Sequence, residues 1–298
     1  MLTIFSTAKP FSGHFGVIQH NALTSWAALA PDVEVILFGN EDGIGAACDE
    51  LGFRHVADVV RSPEGTPLIS DMFNQAARLA SNDTLCFVNA DVILGRDVVD
   101  AADAVSSWRT KFLMVGQRHD IELPEPRDLR SPAALIDVRE RARREGALMS
   151  PVWIDWFVFP RSLFGELPEF AIGRSGYDNW LIWRASDLGA DVVDCTDAVL
   201  LVHQRHDYSH GGGKEAVWNG VEARRAKELV GDWRHFHSVA HARFRLTAEG
   251  SVVPARGGKY AMARPRQAAS HLLRFTRPLR RRWHGSGASR RVKTADRA

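Results

Sequence analysis

The sequence predicts an α/β protein built on a mixed or parallel sheet flanked by helices, and three observations carry that prediction. Over the first ninety residues, short apolar runs alternate with helix-like stretches, the pattern of strands joined through covering helices. The 298 residues are 45% hydrophobic and 25% charged, an ordinary globular composition that excludes collagenous, coiled-coil and wholly disordered chains. The apolar run Thr84–Val88 breaks off at Asn89-Ala90-Asp91, a polar strand end of the kind at which open α/β sheets bind ligands.

Leu2–Ser6 reads as the first strand, Phe15–Leu29 as a helix, and Val33–Phe38 as a buried strand ending in Gly39-Asn40-Glu41-Asp42-Gly43. A short helix to Leu51 follows, then an extended segment near His55–Val60. Ser62-Pro63-Glu64-Gly65-Thr66-Pro67 breaks the chain before a helix over Leu68–Ala80, and Asn82-Asp83 turns into the strand Thr84–Val88. The second half is less regular. Helices are expected over Val98–Trp108, Ala133–Gly146, Asn179–Leu188 and Lys214–Val230, with strands at Lys111–Gly116, Trp156–Phe159 and Ala198–His203.

No stretch approaches the ~18 consecutive apolar residues that span a bilayer, and the first residues do not read as a secretion signal. A cytoplasmic protein is therefore expected. Cys48, Cys86 and Cys195 are widely spaced with no CxxC pair, so they read as buried free thiols in a reducing compartment. The net charge of +2 hides an asymmetry. Residues 254–298 hold 13 Lys and Arg against one acid, Asp296, a local +12, so residues 1–253 carry −10.

Asn89 and Asp91 share one side of an extended chain, because side chains alternate with a period of two. Such a pair can hold a hard divalent cation through oxygens, or can simply form a strand-end turn. Asp178 opens a helical stretch, where a carboxylate can serve as a general base for an acceptor hydroxyl or as a helix cap. His203, His206 and His210 follow a buried strand and precede Gly211-Gly212-Gly213, which can act as a lid or as a solvent loop. No HExxH pattern supports a dedicated zinc centre, and Gly213-Lys214 lacks the spacing of a phosphate-binding loop. Trp153, Trp156, Tyr177 and Trp180 can form a wall for a sugar ring or pack in the core.

The stretch from Asn74 to Asp91 resembles the segment of GT-A-fold nucleotide-sugar glycosyltransferases in which an Asn-bearing helix and an apolar strand lead to an Asp-x-Asp element. The likeness is loose and runs over residues 1 to about 230. Two positions depart from it: Asn89 stands for the first Asp, and Phe73 for the Arg that commonly precedes the helix Asn. The resemblance implies a Rossmann-like sheet, a metal at Asp91 on the donor diphosphate, Asn89 at the sugar, ribose or metal, and Asn74 near the donor. It likewise implies that His203 or His206 completes the metal or diphosphate site, and that the Gly176-Tyr177-Asp178 segment supplies the base of an inverting reaction. Thr7 and Asn40 are the expected contacts to the nucleotide base. Trp156, Trp180, His206 and His210 are expected at the acceptor or in a lid.

These readings give a domain over residues 1–245, with a donor half at 1–117 and an acceptor half at 118–245, and a basic, partly disordered tail at 246–298. The expected partners are a nucleotide-sugar donor and a glycan or lipid-linked acceptor, in glycan, lipopolysaccharide or exopolysaccharide synthesis. Mn²⁺ or Mg²⁺ is the expected cofactor. The tail mixes Leu, Phe and Trp with Arg in Ser270–Trp283 and suits an anionic membrane face, nucleic acid or simple solvation. Nucleotidyl transfer and non-catalytic sugar or nucleic-acid binding are the alternatives. Ser12-Gly13-His14-Phe15-Gly16 is a poor phosphate loop for the former.

Overall fold

The computed structural model describes residues 1–207, 213–261 and 263. Along the chain the first strands are β1 (Leu2–Thr7), β2 (Val33–Phe38), β3 (Arg54–Val56), β4 (Thr84–Val88), β5 (Val92–Ile93) and β6 (Phe112–Val115). They are followed by β7 (Arg118–Ile121), β8 (Ala147–Leu148), β9 (Trp156–Pro160), β10 (Asp191–Asp194), β11 (Leu201–Gln204), β12 (Phe244–Leu246) and β13 (Val252–Pro254). Nine of them form one sheet in the order β13-β12-β10-β6-β9-β4-β1-β2-β3, and the other four form a small sheet in the order β5-β11-β7-β8. The large sheet is parallel from β3 to β4 and from β6 to β12, with β9 running antiparallel between β4 and β6.

Helices cover both faces, which is why the strands read as continuous apolar runs rather than alternating ones. The period of two deals residues to opposite sides. Ile4, Cys86, Val88 and Val158 enter one core with Trp26 of α1 (Gly13–Ala27), Ile44 of α2 (Ile44–Leu51) and Val98 of α4 (Asp97–Trp108). Phe5, Leu85, Phe87 and Phe157 enter the other with Phe73 of α3 (Ile69–Leu79) and Leu181 of α6 (Tyr177–Asp187). Each fully buried ring contributes roughly 1.5–3 kcal/mol of transfer free energy. A third core joins the small sheet to α5 (Pro132–Glu145) through Ile93, Val138 and Val202. α5 starts where its sequence dictates, with the Ser131 hydroxyl accepting from the Ala134 amide and Pro132 in the first turn.

The structure corrects several sequence expectations. The helix expected from Asn179 begins at Tyr177, after Gly176 at φ +105°, a left-handed conformation open to glycine. Asp178 therefore lies in the first turn of α6 rather than capping it. The helix expected over Lys214–Val230 divides at Gly220 into α7 (Lys214–Asn219) and α8 (Val221–Val230). The chain beyond the composition change near 245–255 is still folded. β12 and β13 pair antiparallel on the sheet edge. Lys259 Nζ lies 2.7 Å from the buried Asp194 carboxylate, and the Tyr260 hydroxyl donates to the same oxygen at 2.7 Å. Cys48, Cys86 and Cys195 are free and buried, as expected. No helix among the described residues is long and apolar enough to cross a membrane. The lysines and arginines of 264–298 lie outside the described residues.

Candidate active site

The site forms where the small sheet leans on the carboxyl ends of the large one. β4 ends at Val88, and three residues later Asp91 closes the turn that leads into β5. β5 pairs antiparallel with β11, setting Val92 opposite His203, while β7 pairs parallel with β11 and sets Asp120 opposite the same histidine. Register thus gathers residues far apart in sequence. His206 Nε2 lies 3.0 Å from Asp91 Oδ2, and His203 Nε2 lies 3.8 Å from it. One ligand atom from each of Asp91, His203 and His206 falls within 4.8 Å of the others, an arrangement able to hold a metal ion.

The donor set fits a divalent cation on a further ground: Asp91 Oδ1 is buried and has no hydrogen-bond partner among the described residues. Such an atom is costly to leave unmatched. Two imidazoles with one carboxylate suit Mn²⁺ better than Mg²⁺, which prefers oxygen. Burial alone raises the Asp91 carboxyl, yet His203, with His206 and Lys9, holds it well below the usual carboxylate range. Burial works against protonating His206, but its hydrogen bond to Asp91, the charge of that carboxylate and the hydrogen bond to the Asp207 carbonyl together outweigh this and raise the ring's pKa. Beside the group lies an open cleft of 820 Å³ bounded by Ser12, His14, Asp120, Arg205, His206 and Asp207.

The remaining expected residues divide into two groups. Thr7 is the last residue of β1 and Asn40 lies two residues beyond β2, and Thr7 Oγ1 is buried with no hydrogen-bond partner among the described residues. Asn40 is exposed and accepts from Arg61, which also pairs with Glu41 at 2.8 Å. Asn89, two residues before the carboxylate of the Asp91 group, donates its side-chain amide to Asp155 Oδ1 at 2.8 Å. Asn74 lies half-buried on α3, with no hydrogen bond to that group among the described residues. Asp178 is half-buried, its carboxylate accepting from the Asn179 amide at 2.9 Å. Burial, aided by the charge of Asp155, pushes its carboxyl up to about 7.

Trp156 and Trp180 are corrected: both pack in the core and neither is open to an acceptor or a lid. Trp156 is fully buried on β9 opposite Val88, and Trp180 packs its ring against Phe170 and Trp183. Tyr177 is likewise in the core. His210, with Gly211 and Gly212, lies outside the described residues.

Sequence reasoning passed over four charged residues that the structure brings to this neighbourhood. Arg118, 9% exposed, pairs with Asp120 at 2.9 Å and with Asp155 at 2.6 Å. Lys9 sits with its ammonium 4.1 Å from the centre of the Phe15 ring. Burial lowers its pKa to about 8, against the pull of Asp91. The alternation Arg118-His119-Asp120-Ile121 carried a signal of a short strand with two charges on one side.

No protein-family model matches the chain, and no curated protein matches it. Among solved structures it is similar to glucosyl-3-phosphoglycerate synthase from Mycobacterium tuberculosis in complex with Mg²⁺ and uridine diphosphate. That match has 14% identity over 77% of this chain and 78% of that one, at a TM-score of 0.46. A second structure of the synthase gives 15% identity over 77% and 79% at 0.48. TarS 1-349 from S. aureus gives 12% identity over 68% of this chain and 60% of that one, at 0.46. At TM-scores below 0.5 these are loose likenesses, and what the site can do rests on its own residues.

Proposed function

We propose that the protein is a glycosyltransferase that moves a sugar from a nucleoside diphosphate sugar to a hydroxyl acceptor with inversion. The observation that carries this reading is the group of Asp91, His203 and His206 at the carboxyl end of the sheet, beside a cleft large enough for a nucleotide. Asp91, His203 and His206 would hold the cation, which supplies positive charge to the departing diphosphate. Lys9, held beside Asp91, adds a second positive charge on that side. Thr7 and Asn40, at neighbouring strand ends, suit the nucleotide base. Asp178 takes the proton from the acceptor hydroxyl as it attacks the anomeric carbon, and a pKa of about 7 is suited to that task near neutrality. The acceptor is a glycan or a lipid-linked sugar, and the basic tail of 264–298 suits an anionic membrane face.

The test is turnover across a panel of nucleotide sugars with Mn²⁺ or Mg²⁺. The expected result is hydrolysis or transfer from at least one donor, faster with Mn²⁺ and abolished by chelation. If no donor is bound or consumed, and Asp91→Ala behaves as the parent protein, the reading falls.

A further inference from the structure

An unbroken run of contacts leads away from the cation-binding group into the protein. His203 Nδ1 lies 3.2 Å from Asp120 Oδ1, and the same oxygen lies 2.9 Å from Arg118 Nε, both as ion-pair contacts outside hydrogen-bond geometry. Arg118 Nη1 donates to Asp155 Oδ2 at 2.6 Å, and Asp155 Oδ1 accepts from the Asn89 side chain at 2.8 Å. The Asn89 amide closes the run by donating to the Asp155 carbonyl at 2.9 Å. Asp120, Arg118 and Asp155 are all under a tenth exposed. So much buried charge is costly unless geometry and pairing offset its desolvation, and a plain apolar core would fill the space at less cost.

We propose that Asp120, Arg118 and Asp155 act as one positioning unit that aims the His203 imidazole at the cation and fixes Asn89 beside it. The proposal rests on the cation-dependent reading above. The placement puts Nδ1 against the Asp120 carboxylate and Nε2 on the side of Asp91, so that a small rotation lets Nδ1–H donate to Asp120 while Nε2 turns its lone pair to the cation. Asp120 needs a partner of its own to stay fixed, and Arg118 supplies it at 2.9 Å. The planar fork of Arg118 reaches two carboxylates at once, which a lysine ammonium does in less fixed geometry. The second carboxylate, Asp155, turns that rigidity onto Asn89, two residues before the ligand Asp91. Both chain segments that meet the cation are thereby braced by one guanidinium.

Binding of Mn²⁺ alone to the full chain, followed by the loss of the free-ion resonance signal, tests this independently of any donor. Asp120→Asn is expected to weaken Mn²⁺ about 10–100-fold, the usual effect of removing the carboxylate behind a ligating histidine. Asp155→Asn and Arg118→Lys are expected to weaken it at least about threefold, with circular dichroism unchanged, because the brace is loosened at a distance. Arg139→Lys, at the separate pair with Asp97, should leave Mn²⁺ affinity unchanged. If the parent chain binds Mn²⁺ and Asp120→Asn binds it equally well, the positioning unit is overturned while the cation-dependent reading stands. If Asp120→Asn weakens binding but Asp155→Asn and Arg118→Lys only lower the melting temperature, the three residues are no unit and the proposal fails. If the parent chain binds no Mn²⁺, both fall together.

Discussion

The large and small sheets solve different problems. The large sheet is nine strands wide, and its central strands bury apolar side chains into a core on each face. The small sheet has four strands of two to four residues each, yet its strands β7 and β11 supply Asp120 and His203, and Asp91 immediately precedes β5. The difference teaches that in this chain the stabilising framework and the ion-binding geometry are carried by separate pairings.

That division can be broken or sharpened in four ways. The largest expected effect is at Asp178: Asn in its place should lower turnover by about 10²–10⁴-fold, the range for a lost general base. A pH profile of kcat/KM should rise through pH 7 in the parent protein and lose that limb in the variant. Because the folded carboxyl titrates above its unfolded value of 3.8, its favourable contribution to stability is present below pH 4. It is lost as pH rises through 7, so Asp178→Asn should gain stability relative to the parent above pH 7. Next, Phe87→Ala should cost about 3–5 kcal/mol in denaturant unfolding, while molecules that remain folded keep their Mn²⁺ affinity. Loss of that affinity would show that the two sheets are not separable. Asp91→Asn is expected to do the opposite, cutting donor turnover about 100-fold while moving the melting temperature far less than Phe87→Ala. The smallest effect is at Ile93→Val, where deleting one methylene behind β5 should cost about 0.5–1.5 kcal/mol.

The same contrast explains what could be read from sequence. The runs of Val33–Phe38 and Thr84–Val88 match their strands residue for residue, because a strand buried on both faces needs apolar residues throughout. Asp91, His203 and His206 stood out as polar residues at the ends of such runs. Arg118, Asp120 and Asp155 did not, because their meaning depends on His203 lying opposite Asp120, a pairing between segments more than eighty residues apart. β5 and β8, at two residues each, are too short to show any period. Trp156 misled for a different reason: an aromatic side chain serves a sugar face and an apolar core equally well, and only its pairing with Val88 decides between them.

The antiparallel strand β9 also sets a timetable for synthesis. It joins the β4 side of the large sheet to the β6 side, so the chain that precedes Trp156 cannot unite the two halves into one sheet. The cation site comes later still, because Asp91 and His206 are 115 residues apart. At ~5–20 residues per second, Asp91 leaves the ribosome roughly 6–23 s before the histidine that is to meet it. Through that interval the growing chain can pair its first four strands, but it holds Asp91 without the His206 imidazole that faces it.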